Sequence, residues 1–443
     1  MEKKAQVLKW IDDNQAEIIR TLMDLIEIPS VNPWFDEPKE LTNEKGVQTY
    51  ISKKMEELGA DVEQWEPNAD ALKKYEGKAG YYPGRDFTDR PNLAATFKGR
   101  GEGNSMLLFG HIDVVKEGSN WIQKPFEPKI IDNRLYGRGA VDMKGGVASM
   151  LSAVQALKAS NVELDGDIIV GTVVDEEAGG MGALDFIDHG YRADGCILTE
   201  PTSLKIAPLC RGILWGKLTI EGRAGHIEMP KASWQDGGAV DAIEKAKFIM
   251  KEIDELNKKW AEEKNHPLLP IPCQINISQI KGGEYPTSYA NKVELHFNAQ
   301  YLPSERDENL VGGRVKNEIL SFINEISKKD AWLEENPVHV EWQVDADCAE
   351  TDSDDPFVKQ CASSLEQIGQ PPVIEGLCFH TDMGWPVNVG IPTVNFGPGD
   401  PRMAHHSDEF VSVEEVIEAT KMIAVSLIDW CNGQKNYSHE DRR

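Results

Sequence analysis

Between residues 106 and 199 short apolar, β-branched runs alternate with helical stretches, and this alternation limits the possible folds more than any other feature. Residues 106–115 are an apolar run entering a loop, 145–159 a small-residue helix, 167–174 a β-branched strand, 182–189 a short helix and 195–199 another strand. Strand–helix–strand order predicts a mainly parallel sheet covered on both faces, because parallel neighbours need a crossover that lays a helix on the sheet. Ligands bind such sheets at the carboxyl ends of the strands. The acidic residues discussed below are expected there, each directly after an apolar run.

A second unit is expected from near Leu209. Residues 214–221 read as a strand, 238–264 as a long helix, 274–279 and 292–301 as strands, 309–328 as a helix and 338–344 as a strand. This βαββαβ order describes a ferredoxin-like sandwich. From Pro356 the α/β pattern resumes, with a strand at 393–396 and a closing helix at 413–431. The predicted organisation is an α/β catalytic domain in two parts, 1–208 and 346–443, interrupted by an inserted α+β domain over 209–345. A chain of 443 residues exceeds the usual size of one hydrophobic core, which agrees with two domains.

The net charge of −27 argues against nucleic acid or an anionic membrane as a partner, since a phosphate surface needs a basic stripe. Near the N-terminus Leu8, Ile11, Ile18, Leu22, Leu25 and Ile26 recur at helical spacing with charges between them. That pattern predicts an amphipathic helix rather than a signal peptide. No apolar run is long enough to span a bilayer, so a cytoplasmic protein is expected. The seven cysteines are scattered without a Cys-x-x-Cys pair, which suits reduced, buried thiols.

Five places share one character, a run ending in His, Asp or Glu. In Gly110-His111-Ile112-Asp113 the His and Asp at i and i+2 point to the same side of a strand, so the carboxylate could accept one imidazole N–H and leave the other nitrogen for a metal. A histidine merely hydrogen-bonded at a strand end is the plainer reading of that motif alone. In Tyr136-Gly-Arg-Gly-Ala-Val-Asp142-Met-Lys-Gly-Gly146 a dinucleotide loop is excluded, because Asp142 stands where the third glycine would approach a pyrophosphate. The glycines suit a tight turn that delivers Asp142 to a cation.

Thr172-Val-Val-Asp175-Glu176-Glu177-Ala-Gly-Gly180 places three successive carboxylates after a β-branched strand; a bound cation would offset their repulsion, and a solvated acidic turn is the alternative. Pro201 holds Glu200 extended in Ile197-Leu-Thr-Glu200-Pro201. The last place is Met403-Ala-His405-His406-Ser-Asp408-Glu409, after the turn Gly397-Pro-Gly-Asp400. Together the five supply nitrogen and oxygen ligands for two adjacent metal sites sharing a carboxylate. Ligands without thiolates suit zinc, with Co2+ or Mn2+ as substitutes.

In order along the chain stand GHIDVV, W-x-x-x-PF (Trp121 to Phe126), YGRGAVDMKGG, DEEAGG, TEP, G-x-A-G-H, FGPG and AH-x-x-DE. From about Asn92 to Phe410 the sequence thereby resembles the zinc-dependent amidohydrolases and exopeptidases that include acetylornithine deacetylase, succinyl-diaminopimelate desuccinylase, aminoacylase and glutamate carboxypeptidase. The resemblance implies that His111 and Glu200 bind one zinc, Glu177 and His405 the other, and that Asp142 bridges both. It implies Glu176 as the general base acting on a metal-bridging water, Asp113 as the residue orienting His111, and His405 rather than His406 as ligand. His226, in Gly222-Arg-Ala-Gly-His226, matches a histidine of the inserted lid and dimerisation domain that helps stabilise the oxyanion in a partner's site, so a homodimer is implied. A cis peptide after Asp142 is a further implication.

The activity so implied is hydrolysis of a linear amide: N-deacylation, of deacetylase, desuccinylase or deformylase type, of a small N-acyl amine or N-acyl amino acid. A metallo-dipeptidase or carboxypeptidase is the enzymatic alternative, and a non-catalytic binding protein on the same fold the remote one. Relatives commonly hold a substrate carboxylate with an Asn of an Asn-x-x-Pro turn and an Arg on the next strand. Here Thr287 and Gln300 stand in those places, and His226 is followed by Ile227-Glu228. Either the substrate is neutral or cationic at that end, or Arg211 or another base supplies the clamp.

Overall fold

The structure, a computed structural model, describes residues 2–434, so residues 1 and 435–443 of the expected catalytic segments lie outside the described residues. Two compact units are present: Met1–Cys210, Ala349–Leu377 and Thr381–Arg443 contribute to the first, Arg211–Cys348 and Cys378–His380 to the second. Among the described residues no helix is long and apolar enough to cross a membrane.

A six-stranded sheet forms the centre of the first unit, in spatial order Asp61–Trp65, Asn92–Phe97, Ile168–Val173, Met106–His111, Gly195–Leu198 and Thr393–Asn395. The last four are parallel neighbours. The first two join antiparallel, so the sheet is mixed but mainly parallel. Every residue of the three strands Ile168–Val173, Met106–His111 and Gly195–Leu198 is buried, which is why they read as unbroken apolar runs. Asp61–Trp65 is an edge strand of polar, mostly exposed residues and carries no such signal.

The helix Lys144–Ala159 packs against Gln15–Glu27 and Val413–Cys431. Its small residues let backbones approach closely: a β-carbon on Gly146 would overlap the carbonyl oxygen of Thr199, just past the strand Gly195–Leu198. At the start of that helix the buried Lys144 donates 2.9 Å hydrogen bonds to the carbonyls of Leu25 and Ile28, filling acceptors that the end of Gln15–Glu27 leaves open. The N-terminal amphipathic segment is two helices, Glu2–Asp13 and Gln15–Glu27. The break falls at Asn14, whose side-chain amide donates to the Trp10 carbonyl and competes with helix continuation.

In the second unit the sheet order is Ile275–Gly282, Lys292–Tyr301, Gly212–Glu221 and His339–Ala346, antiparallel throughout. That is the strand order of a ferredoxin-like sandwich. Gly212–Glu221 alternates buried and half-buried residues, as a sheet covered on one face requires. Ala242, Ala246, Ile249, Ile253, Leu256 and Trp260 form the buried stripe of the helix Ala242–Glu263 and join Leu214, Leu218 and Leu295 in one core.

Gly146→Ala is expected to destabilise the chain by about 1–3 kcal/mol, the usual cost of overpacking. Thermal or denaturant unfolding of the two proteins checks this, and an unchanged midpoint would show that the helix gives way freely.

Candidate metal centre

Three adjacent parallel strands deliver part of the site from their carboxyl ends. His111 is the last residue of Met106–His111, the turn Glu176–Ala178 follows Ile168–Val173, and Glu200 lies two residues beyond Gly195–Leu198. Asp142 and His405 arrive differently, against the expectation that each acid follows an apolar strand. Asp142 sits in the turn before Lys144–Ala159, with a cis peptide to Met143, and His405 follows the short turn Pro401–Met403 with φ +61°. A small sheet brings these two turns together: Phe410–Ser412 pairs antiparallel with Arg134–Tyr136, so Phe410 lies beside Tyr136.

Ligand atoms of His111, Asp142 and Glu200 lie within 4.8 Å of one another, and so do those of Asp142, Glu177 and His405. His111 Nε2 is 3.1 Å from Asp142 Oδ1 and 3.8 Å from Glu200 Oε1. On the other side His405 Nε2 is 3.3 Å from Asp142 Oδ2 and 3.2 Å from Glu177 Oε2. Each oxygen of Asp142 therefore faces a different imidazole. His406 belongs to neither cluster among the described residues. Glu176 stands beside them, with Oε2 3.9 Å from His111 Nε2.

Asp113 does not meet His111 as the i, i+2 argument expected. His111 Nδ1 is 2.9 Å from the Asp113 backbone carbonyl and 3.6 Å from its carboxylate. A carbonyl only accepts, so it still puts the proton on Nδ1 and turns Nε2 toward the cluster. The Asp113 carboxylate instead accepts from the backbone N–H groups of Glu176 at 3.3 Å and Glu177 at 3.2 Å and from Asn32 Nδ2 at 2.8 Å. It grips the acidic turn rather than the imidazole.

Electrostatics here are those of a buried volume short of positive charge. Burial pushes Glu176 and Glu200 well above the usual carboxylate range, and neighbouring acids add to it. Glu177 is raised by burial too, despite His405. Burial works against charge on His111, yet the hydrogen bond to Asp142 and the pull of Glu176 and Glu200 raise its pKa well above 6.5. Glu177, with burial opposing it, lifts His405 to about 11. Burial also disfavours charge on Asp142, but its bonds to both imidazoles hold it below the ordinary range. Left to itself the cluster holds protons; a divalent cation would displace them.

Glu177 Oε1 is buried without a hydrogen-bond partner, an acceptor aimed at nothing the protein provides. With nitrogen and oxygen donors and no thiolate, the residues fit a divalent metal ion.

The sequence reading overlooked two buried supports. Glu409 accepts from Arg138 Nη1 at 2.6 Å and from the backbone N–H groups of Gly139, Val141 and Asp142 at 3.1, 2.8 and 3.1 Å, so it cradles the loop that presents Asp142. Asp382 is fully buried near Glu176 and accepts from Trp385 Nε1 at 3.0 Å. Thr381-Asp382 carries no periodic signal, whereas Glu409 closes the recognised AH-x-x-DE motif and could have been given this role. In the second unit His226 is exposed, and its Nδ1 accepts from the Glu228 N–H at 3.2 Å. Gln300 spends its amide locally, accepting from Gln274 N–H at 3.1 Å and donating to Asn298 Oδ1 at 2.6 Å. Thr287 accepts from the Ile227 N–H through its backbone carbonyl, and Arg211 is buried with its guanidinium donating to the Ile271 carbonyl.

Comparison with known proteins adds the family. An N-formyl-4-amino-5-aminomethyl-2-methylpyrimidine deformylase of Bacillus subtilis is 30% identical over 446 residues, covering 96% of this chain and 97% of that protein. An acetylornithine deacetylase of Vibrio campbellii is 28% identical over 346 residues, covering 75% of this chain and 83% of its own. The fold of a di-peptidase from Saccharomyces cerevisiae matches with a TM-score of 0.73 over 98% of this chain and 100% of that one, at 16% identity. Residues 107–429 match the model of peptidase family M20/M25/M40. The chain belongs to that family and is a hydrolase acting on amide bonds.

Proposed function

We propose that the chain is a dinuclear zinc N-deacylase whose substrate is an N-formyl or other N-acyl amine lacking a carboxylate at the amine end. The observation that carries the reading is Asp142, common to two clusters of imidazole and carboxylate, with Glu176 beside them. His111 and Glu200 would hold one ion, Glu177 and His405 the other, and Asp142 both. Zinc bound there supplies Lewis acidity to the amide carbonyl and makes a nucleophilic water available near neutral pH.

The remaining work falls to the chain's own side chains. Glu176, with Oε2 3.9 Å from His111 Nε2, takes a proton from the attacking water and returns it to the departing nitrogen. Asp113 fixes the backbone of Glu176 and Glu177, and Glu409 fixes that of Asp142. In this reading the protein works in the cytoplasm as a homodimer through its inserted domain, which acts as a lid, and His226 helps to stabilise the oxyanion.

Support for the substrate class comes from the second unit. Thr287 and Gln300 offer no cation where relatives clamp a carboxylate, and Gln300 is tied to its own strand neighbours. The likeness to the pyrimidine deformylase also runs the length of both chains, while the acetylornithine deacetylase covers three quarters of this one.

Metal analysis is expected to find two zinc ions per chain, with activity lost to a chelator and restored by Zn2+ or Co2+. Glu176→Ala should lower kcat by about 10²–10⁴-fold while zinc content stays at the wild-type level; undiminished turnover would remove Glu176 as the base. A panel pairing N-formyl and N-acetyl amines with their carboxylated counterparts should favour the uncarboxylated members. Preference for the carboxylated ones, or turnover of dipeptides with free termini, would replace this substrate class with that of an amino-acid deacylase or a dipeptidase.

A further inference from the structure

Behind the acidic turn lies a group of buried charges that touches no candidate ligand. Arg90, 6% exposed, donates through Nη2 to Glu44 Oε1 at 3.0 Å and to Asp175 Oδ1 at 3.1 Å, and its Nε also donates to Glu44. Glu44 and Asp175 are both fully buried. Arg85 Nε lies 3.5 Å from Asp175 Oδ2, and Arg85 Nη2 donates to the Ala178 carbonyl at 2.5 Å. Asn32 Nδ2 joins the group to Asp113, reaching Asp175 Oδ1 at 3.4 Å and Asp113 Oδ2 at 2.8 Å.

We propose that Arg90, clamped between Glu44 and Asp175, is a positioning residue that sets the aim of Glu176 and Glu177. Asp175 is the first of the three successive acids, and its backbone is left-handed, with φ +72°. An aspartate enters that conformation more readily than most residues, and a carboxylate anchored by its neighbours keeps it there. The anchor is the guanidinium pair: Arg90 and Arg85 draw the Asp175 carboxylate back into the protein and so turn the next two carboxylates toward His111 and His405. Arg90 suits the task because its planar fork reaches two carboxylates at once, which an ammonium of the same charge does not. Through Asn32 the same group braces Asp113, which holds the N–H groups of Glu176 and Glu177.

This role rests on the zinc-hydrolase reading for what the turn does, so its test reads metal affinity as well as turnover. Full-length wild type, Arg90→Lys and Asp175→Asn are titrated with Zn2+ against a competing chelator, and their kcat and KM are measured on an N-formyl amine. Asn tolerates the left-handed conformation and keeps the shape of Asp, so Asp175→Asn decides the matter should Arg90→Lys not fold. Lys264→Met, which removes a largely buried cation paired with Glu305 and Glu318 in the second unit, serves as a destabilised control. The two test variants are expected to bind zinc about 10–100-fold more weakly and to lose kcat by a similar factor with KM little changed, while the control binds zinc as wild type does. Wild-type zinc affinity and turnover in both test variants, whatever their melting temperatures, would overturn the positioning role alone. Wild-type protein that takes up no zinc would overturn the dinuclear-zinc reading and this role with it.

Discussion

Carboxylates that repel one another are packed into one buried volume, and much of the first unit is arranged to permit it. Asp113, Asp142, Asp175, Glu176, Glu177 and Glu200 all lie along three neighbouring strand ends or the turn facing them. Their side chains are at most 16% exposed, so screening is weak and each needs a partner. His111 and His405 face the inner acids, Arg90 and Arg85 the outer ones, and backbone N–H groups take up part of the rest. The division is directional: fixed cations sit behind the turn, and the side left short of positive charge is the one with the orphaned oxygen of Glu177. Permanent guanidinium charges thereby define where an exchangeable charge belongs.

The frame that achieves this was largely legible in the sequence. Strands buried on both faces appear as continuous apolar runs, so 106–111, 168–173 and 195–198 announced themselves, and with them the strand ends that carry His111, Glu176 and Glu200. The edge strand Asp61–Trp65 did not, because an exposed polar strand has no hydrophobic period to detect. At the site the motifs pointed to residues that the structure gathers; the Ala-His-x-x-Asp-Glu pattern favoured His405 over His406, and His405 lies beside Asp142 and Glu177. Asp113 meets His111 through its backbone carbonyl rather than its carboxylate, and the reason is physical. The i, i+2 rule describes residues within a strand, and the strand ends at His111, so the chain turns before Asp113.

The supporting charges were not legible at all. Glu44 opens the helix Glu44–Glu57 and reads as an ordinary acid in a first turn, favoured there by the helix dipole. Arg90 precedes Pro91 in a loop, and Asn32 precedes Pro33; nothing in their spacing ties them to Asp175, 85 and 143 residues away. Pairings of this kind arise from tertiary packing, and local pattern contains no trace of them. Glu409 lies between these cases: its motif was visible, but its grip on three backbone N–H groups of a loop nearly 270 residues earlier was not.

Lys144 has a consequence for how the enzyme could be handled. Its ammonium is spent on two carbonyls at the end of Gln15–Glu27, while its backbone lies two residues from Asp142. The opening helices are thus a foundation for the loop that both clusters share, although they contribute no candidate ligand to it. Trimming or tagging the amino-terminal end is therefore not a neutral act. A strained junction there would be felt as a loosened aspartate more than a hundred residues downstream.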